Sequence, residues 1–175
     1  VPDKTPSDNA TVFLDDRLMN APILAVEQCR EKVVAMGEIA KSALLDSLHL
    51  LSDYDQKLYN QVEKQEQQLD RLDDELATAL VKLSAKELRV EESREIFELL
   101  HVIGDFERIG DHATNLAESA AELHRAGGSF SESAKDELTT LFAALTEILD
   151  ITSRAFRQND DKLAGHVEPL EEVID

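Results

Sequence analysis

Between Ile96 and Ala120 the residues Ile96, Leu99, Ile103, Phe106, Gly110, Ala113, Ala117 and Ala120 step by 3, 4, 3, 4, 3, 4, 3. An α-helix puts such a series on one face, because about 3.6 residues complete a turn. A strand would scatter it over both sides of a sheet. The seam tapers from large side chains to small ones, so a neighbouring helix is expected to approach closely near Gly110 and Ala113. The stretch from about Val90 to Arg125 therefore reads as one helix, and Gly127-Gly128 beyond it supplies a left-handed stop.

The same periodicity recurs on either side. Leu24, Val33/Val34, Ala40, Leu44/Leu45, Leu48 and Leu51 predict a helix from Ala21 to about Ser52, with Asn20 as N-cap and Pro22 in the first turn. Leu58, Val62, Leu69, Leu72, Leu76, Ala79/Leu80 and Leu83 predict a second helix over about Asp55 to Leu83, its seam interrupted by Gln65. After the glycines, Ser129 and Glu132 have capping-box spacing before a fourth helix through Leu138, Leu141, Leu145, Ile148/Leu149 and Phe156. A break at Gln158-Asn159-Asp160 leads into a last helical stretch over about Lys162 to Asp175. Long amphipathic helices joined by short breaks pack as antiparallel neighbours, so the fold class is all-α, an antiparallel helical bundle.

Charge narrows the functions open to such a bundle. Thirty-seven acidic against eighteen basic residues leave a formal net charge of −19. That surface repels phosphate backbones and anionic lipid, so no nucleic-acid partner is expected. It attracts cations. No apolar run of membrane-spanning length occurs, so no direct membrane insertion is expected, and the first residue, Val1, suggests a processed end or part of a longer protein. The one cysteine, Cys29, reads as a packing residue. No phosphate-binding glycine loop or Ser/His/Asp arrangement is present, and the chain is not expected to be an enzyme.

Self-comparison reveals an internal repeat. Asp55 to Asp70 aligns with Asp160 to Asp175 at an offset of 105, with seven identities: Asp55/Asp160, Lys57/Lys162, Leu58/Leu163, Val62/Val167, Glu63/Glu168, Glu66/Glu171 and Asp70/Asp175. The offset pairs the first helix with the fourth and the second with the last. It predicts a linker over 1–20, a three-helix repeat over 21–125, and the first two helices of a second, truncated repeat over 126–175. Each copy holds Glu-x-x-x-Asp, at Glu66/Asp70 and at Glu171/Asp175, and the third helix holds another at Glu107/Asp111. Carboxylates four residues apart share a helical face, with Cβ atoms about 5–6 Å apart. Their repulsion favours a cation between them, and hard oxygen donors on rigid helices suit Mg, Ca, Mn or iron. A hairpin turning near residue 87 places positions summing to about 174 level, so Glu63, Glu66 and Asp70 are expected within a turn or so of Glu107 and Asp111. The histidines lack ligand spacing to one another, and Arg108 is expected to pair with Glu107 or Asp105. Asn115 and Glu118 are expected to face solvent.

The run Val102 to Glu118, with Asp105-Phe-Glu107-Arg-Ile-Gly-Asp111-His-Ala-Thr-Asn115-Leu-Ala-Glu118 at its heart, resembles the signature helix of the PhoU family of phosphate-transport regulators. The resemblance implies tandem three-helix repeats whose acidic motifs hold multinuclear iron or zinc clusters. By position it implies Glu66, Asp70, Glu107 and Asp111 at one site. Glu171 and Asp175 would belong to a second, incomplete one. The stretch Phe13 to Pro22, followed by Ala25-Val-Glu-Gln28, resembles the segment after the membrane portion of bacterial sodium/phosphate cotransporters that carry such a domain. This implies a domain of an integral membrane protein at the cytoplasmic face of the inner membrane, regulating sodium-dependent phosphate transport. The expected partners are the transporter's membrane portion and a second copy in a homodimer. The alternative is a structural helical oligomerisation module without metal.

Overall fold

The structure, a computed structural model, describes residues 20–174, and side chains up to residue 172. Asp175 and the Phe13–Met19 part of the transporter-like stretch lie outside the described residues. Four long helices follow one another, α1 (Pro22–Ser52), α2 (Gln56–Ser84), α3 (Val90–Arg125) and α4 (Glu132–Gln158), and then two short ones, α5 (Asp161–Ala164) and α6 (Glu168–Ile174). Helices α1, α2 and α3 pack mutually, α4 lies against α1, and α5 and α6 pack on α4. No described helix is long and apolar enough to cross a membrane.

Local chemistry accounts for most helix ends. Pro22 opens α1 at a position where a missing N–H costs nothing, and it holds the preceding residue extended. Ala21, at φ −124° and ψ 72°, is therefore the N-cap, without a side-chain hydrogen bond, and not Asn20 as the sequence suggests. Asp55 caps α2 by accepting from the Lys57 N–H at 3.0 Å. Its repeat counterpart Asp160 caps α5 by accepting from the N–H groups of Lys162 at 3.0 Å and Leu163 at 3.1 Å. Gly127, at φ +62°, stops α3 in the left-handed region where a side chain is strained. The cap of α4 is Ser131, accepting from the Ala134 N–H at 3.2 Å, and not Ser129. That shift brings Glu132 into the first turn, where its charge meets the positive end of the helix. The expected continuous last helix is split by residues 165–167. Pro169 has no N–H to return to the Gly165 carbonyl, and Gly165 itself disfavours a helix interior. In the first copy Asn60 and Lys64 occupy these places, and α2 runs through.

The core forms two joined layers. Val33, Met36, Leu69, Leu76, Leu80, Leu83, Ile96, Leu99 and Ile103 fill the wide one; Ala43, Leu50, Val62, Ala113, Ala117 and Ala120 fill the narrow one. Cys29 is buried in the first, and burial pushes its thiol up to about 11. Where the seam turns from large to small, two glycines receive large neighbours. A Cβ at Gly110 would come 2.6 Å from Leu69 Cδ1, and one at Gly37 would come 2.7 Å from Phe106 Cζ. Interlocking of this kind fixes register as well as separation.

Two outcomes follow. Gly110→Leu should lower stability by about 1–3 kcal/mol, the usual penalty of overpacking, read as a reduced urea midpoint; an unchanged midpoint would mean that Leu69 has room to move. The double change Gly165→Asn/Pro169→Lys, which installs the residues of the first copy, should join α5 to α6, seen as helical Cα chemical shifts across 165–167.

Candidate metal centre

Leu69 and Gly110 also locate the acidic motifs. In α2 the order is Glu66-Gln-Gln-Leu69-Asp70, and in α3 it is Glu107-Arg-Ile-Gly110-Asp111. Each motif thus places the packing residue directly before its aspartate and three after its glutamate. Seating Leu69 at Gly110 sets both Glu/Asp pairs beside the same helix contact. The resulting register lies about a turn from the hairpin expectation, since Gly110 meets Leu69 and not residue 64. The cause is the 85–89 connection: Lys86 closes a final turn on the Leu83 carbonyl at 2.9 Å, and Arg89 is extended at φ −74° and ψ 165°. The chain thereby travels past the end of α2 before α3 turns back.

The acids of the two motifs act on one another electrostatically. Burial, then the charges of Asp70 and Asp111, a hydrogen bond to Asp70, and the charge of Glu107 raise the Glu66 carboxyl above its ordinary value. Glu107 is raised by burial and by Asp111, Asp70 and Asp73, with Arg108 opposing. Asp73, a residue that motif spacing overlooked, is raised by burial and by Asp74 and Asp70. It extends the α2 acidic stripe one turn beyond Asp70. Glu63 belongs to an adjacent group: Tyr59 is raised by burial, by the charges of Glu63 and Glu118, and by a hydrogen bond to Glu63. Asn115 and Glu118 are exposed, as expected. Arg108 pairs with Asp105 at 3.9 Å on the outer surface.

Four of the six expected ligands therefore gather, Glu66, Asp70, Glu107 and Asp111. Glu171 is exposed on α6, which packs on α4, and Asp175 lies outside the described residues. Among the described residues no three His, Cys, Asp or Glu side chains converge closely enough to hold a metal ion. The donor chemistry nevertheless fits hard cations. Thr114 Oγ1, one turn past Asp111 on α3, and Gln65 Oε1, next to Glu66 on α2, are buried with no hydrogen-bond partner. Glu98 and His101 have the Glu-x-x-His spacing of di-iron ligands, but they serve the outer face. Glu98 accepts from Arg94 Nε at 2.8 Å, and the His101 ring stands edge-on to Phe97 with centroids 4.6 Å apart.

Residues 33–120, half of the chain, match the family model described as PhoU domain. The chain is similar to proteins named phosphate-specific transport system accessory protein PhoU homolog. The one from Clostridium acetobutylicum is 25% identical over 101 residues, 57% of this chain and 46% of that protein. The one from Xylella fastidiosa strain Temecula1 is 28% identical over 93 residues, 53% of this chain and 39% of that protein. The one from Pseudomonas aeruginosa is 24% identical over 151 residues, 86% and 62% respectively. The chain thus spans about half the length of the curated relatives it matches. No solved structure gives a significant match.

The raised Glu66 carboxyl has a consequence for stability. A carboxyl raised in the folded state contributes stability that is complete below its unfolded value, near 4.5, and is lost as pH rises through its folded value. In chelator, Glu66→Gln should therefore melt above the parent protein at pH 7 and together with it below pH 4. A variant melting at or below the parent at pH 7 would count against carboxylate repulsion.

Proposed function

Because the chain belongs to the PhoU domain family, we propose that it is a non-enzymatic regulatory domain of phosphate transport that responds through metal held on its α2–α3 carboxylates. The observation carrying this reading is the placing of Glu66, Asp70, Glu107 and Asp111 beside the Leu69–Gly110 contact, near enough that each glutamate is raised by burial and by the neighbouring acids, although the side chains are not drawn into a closed ligand set. In this reading Glu66 and Asp70 on α2 and Glu107 and Asp111 on α3 hold iron or zinc. Bound cations supply positive charge that reverses the repulsion between the two helices. The side chains then act as a clamp between α2 and α3 that is tighter with metal than without it.

The system served is a phosphate transporter, since the relatives are named accessory proteins of a phosphate-specific transport system. On the resemblance of residues 13–28, the transporter is sodium-dependent, and this domain sits at the cytoplasmic face of the inner membrane against its membrane portion. Solvated acidic stripes on a purely structural module would leave the raised glutamates without a role.

Metal analysis of protein purified without chelator tests the reading. Stoichiometric iron or zinc is expected, along with a melting temperature several degrees higher than in the stripped protein. Asp70→Ala/Asp111→Ala should lose both the metal and the shift while remaining folded. Absence of bound metal, or metal retained by the double variant, would refute the assignment. In cells, the same variant should alter phosphate uptake as deletion of the domain does.

A further inference from the structure

The seam of α2 along Leu58, Val62, Leu69, Leu72 and Leu76 is broken at Gln65, and the core divides at the same level. Ala40 and Leu69 belong to the wide layer and Ala43 and Val62 to the narrow one; Ser42 of α1 and Gln65 of α2 fall between them. The link from α1 to α2 is polar there. Gln65 Nε2 donates to Ser42 Oγ at 3.0 Å and to Asp46 Oδ2 at 3.2 Å. The same Asp46 oxygen accepts from Gln61 Nε2 at 2.9 Å and from the Ser42 hydroxyl at 3.4 Å. A carboxylate only accepts, so Asp46 fixes which branch of the Gln65 amide faces α1. The amide oxygen takes the other branch.

That oxygen, Gln65 Oε1, and Thr114 Oγ1 on α3 are the buried side-chain polar atoms without a hydrogen-bond partner among the described residues. The packing makes them level. Leu69 meets Gly110, and in antiparallel helices the residue four before the one lies opposite the residue four after the other, which are Gln65 and Thr114. Each therefore stands about one turn along the same α2–α3 contact. An amide oxygen accepts and a hydroxyl both donates and accepts, so a single water between them gives each its bond. Two oxygens fall short of the shell of about six that a hard cation takes.

We propose that Gln65 and Thr114 enclose a water-binding site, and that the bound water completes a polar layer tying α1, α2 and α3 together within the first repeat. Every member of the layer lies in these three helices, and none of the tie depends on metal. Gln65 stands directly before Glu66, and Thr114 three residues after Asp111, so the water joins α2 to α3 beside the acids that push them apart. Apolar contact has no direction, whereas hydrogen bonds from Gln65 to both neighbours hold α2 at one rotation about its axis. Removing either Gln65 or Thr114 leaves the other buried and unpaired; removing both leaves an apolar layer of similar volume.

A double-mutant cycle and a direct probe of the water test this, both on the 175-residue chain in chelator. Gln65→Leu and Thr114→Val should each raise the unfolding equilibrium constant by about fivefold or more. The double variant should fall short of the product of the two by a similar factor, because the second change removes the group that the first left unpaired. In the parent protein the Thr114 methyl should give a nuclear Overhauser effect to a long-lived water, and Gln65→Leu should abolish it. Losses that simply multiply, or a Thr114 methyl without a water signal, would overturn the site. Where a single variant does not fold, the double variant decides: stability near that of the parent upholds the site, and failure to fold overturns it.

Discussion

The seating of Leu69 at Gly110 is the contact on which the rest of the molecule depends. It lies at the point where the α3 seam passes from Ile103 and Phe106 to Ala113 and Ala117, so it joins the wide layer of the core to the narrow one. It also draws together two helices that both carry acids on the adjoining face. Moving the register by one turn would keep much of the apolar burial, since leucines recur along α2, but would separate Glu66 and Asp70 from Glu107 and Asp111. A glycine at position 110 is thus a requirement of the site as much as of the packing.

Collecting carboxylates in this way opposes folding. Glu66, Asp73 and Glu107 all have raised carboxyls, with burial the largest cause and neighbouring acids next. In a chain of net charge −19 there is little compensating cation nearby. Arg108, which follows Glu107 directly, turns outward to Asp105. The cluster persists because the leucines and alanines beneath it bury enough apolar surface to offset the repulsion. Such a balance leaves the α2–α3 face sensitive to any cation that removes the repulsion, and the proposed metal response rests on that sensitivity.

The two repeats share their local structure and differ in how far it is packed among the described residues. Asp55 and Asp160 cap their helices through the same hydrogen bond, so local structure is reproduced at an offset of 105 residues. Asn60 and Lys64 then allow one helix of 29 residues, whereas Gly165 and Pro169 divide the second copy into α5 and α6. With no α3 equivalent among the described residues, the leucines of α4 remain part-covered, and Arg30 of α1 bonds to Phe156 and Asn159 at the end of α4. Identical caps start the same helix twice; tertiary cover decides how far it is consolidated.

The sequence alone determined the all-α class, the extent of α3 to the residue, the breaks at Gly127 and Asn159, the repeat, and the four acids that face one another. These follow from periodicity, from the φ preferences of glycine and asparagine, and from helical spacing, all of which act within a few residues. Other features depended on the tertiary structure. The α2–α3 register lay a turn from its expected place because an extended connection, not a midpoint, sets where α3 begins. The raised Asp73 carboxyl and the unpartnered Thr114 hydroxyl emerged only there, because burial and lost hydrogen-bond partners arise only when helices pack. Arg30, an unremarkable residue in the chain, became the tie between repeats because its acceptors at Phe156 and Asn159 are more than a hundred residues distant. Spacing along a helix is written in the chain, whereas which face meets which, and what is left uncovered, is settled by packing between segments far apart in sequence.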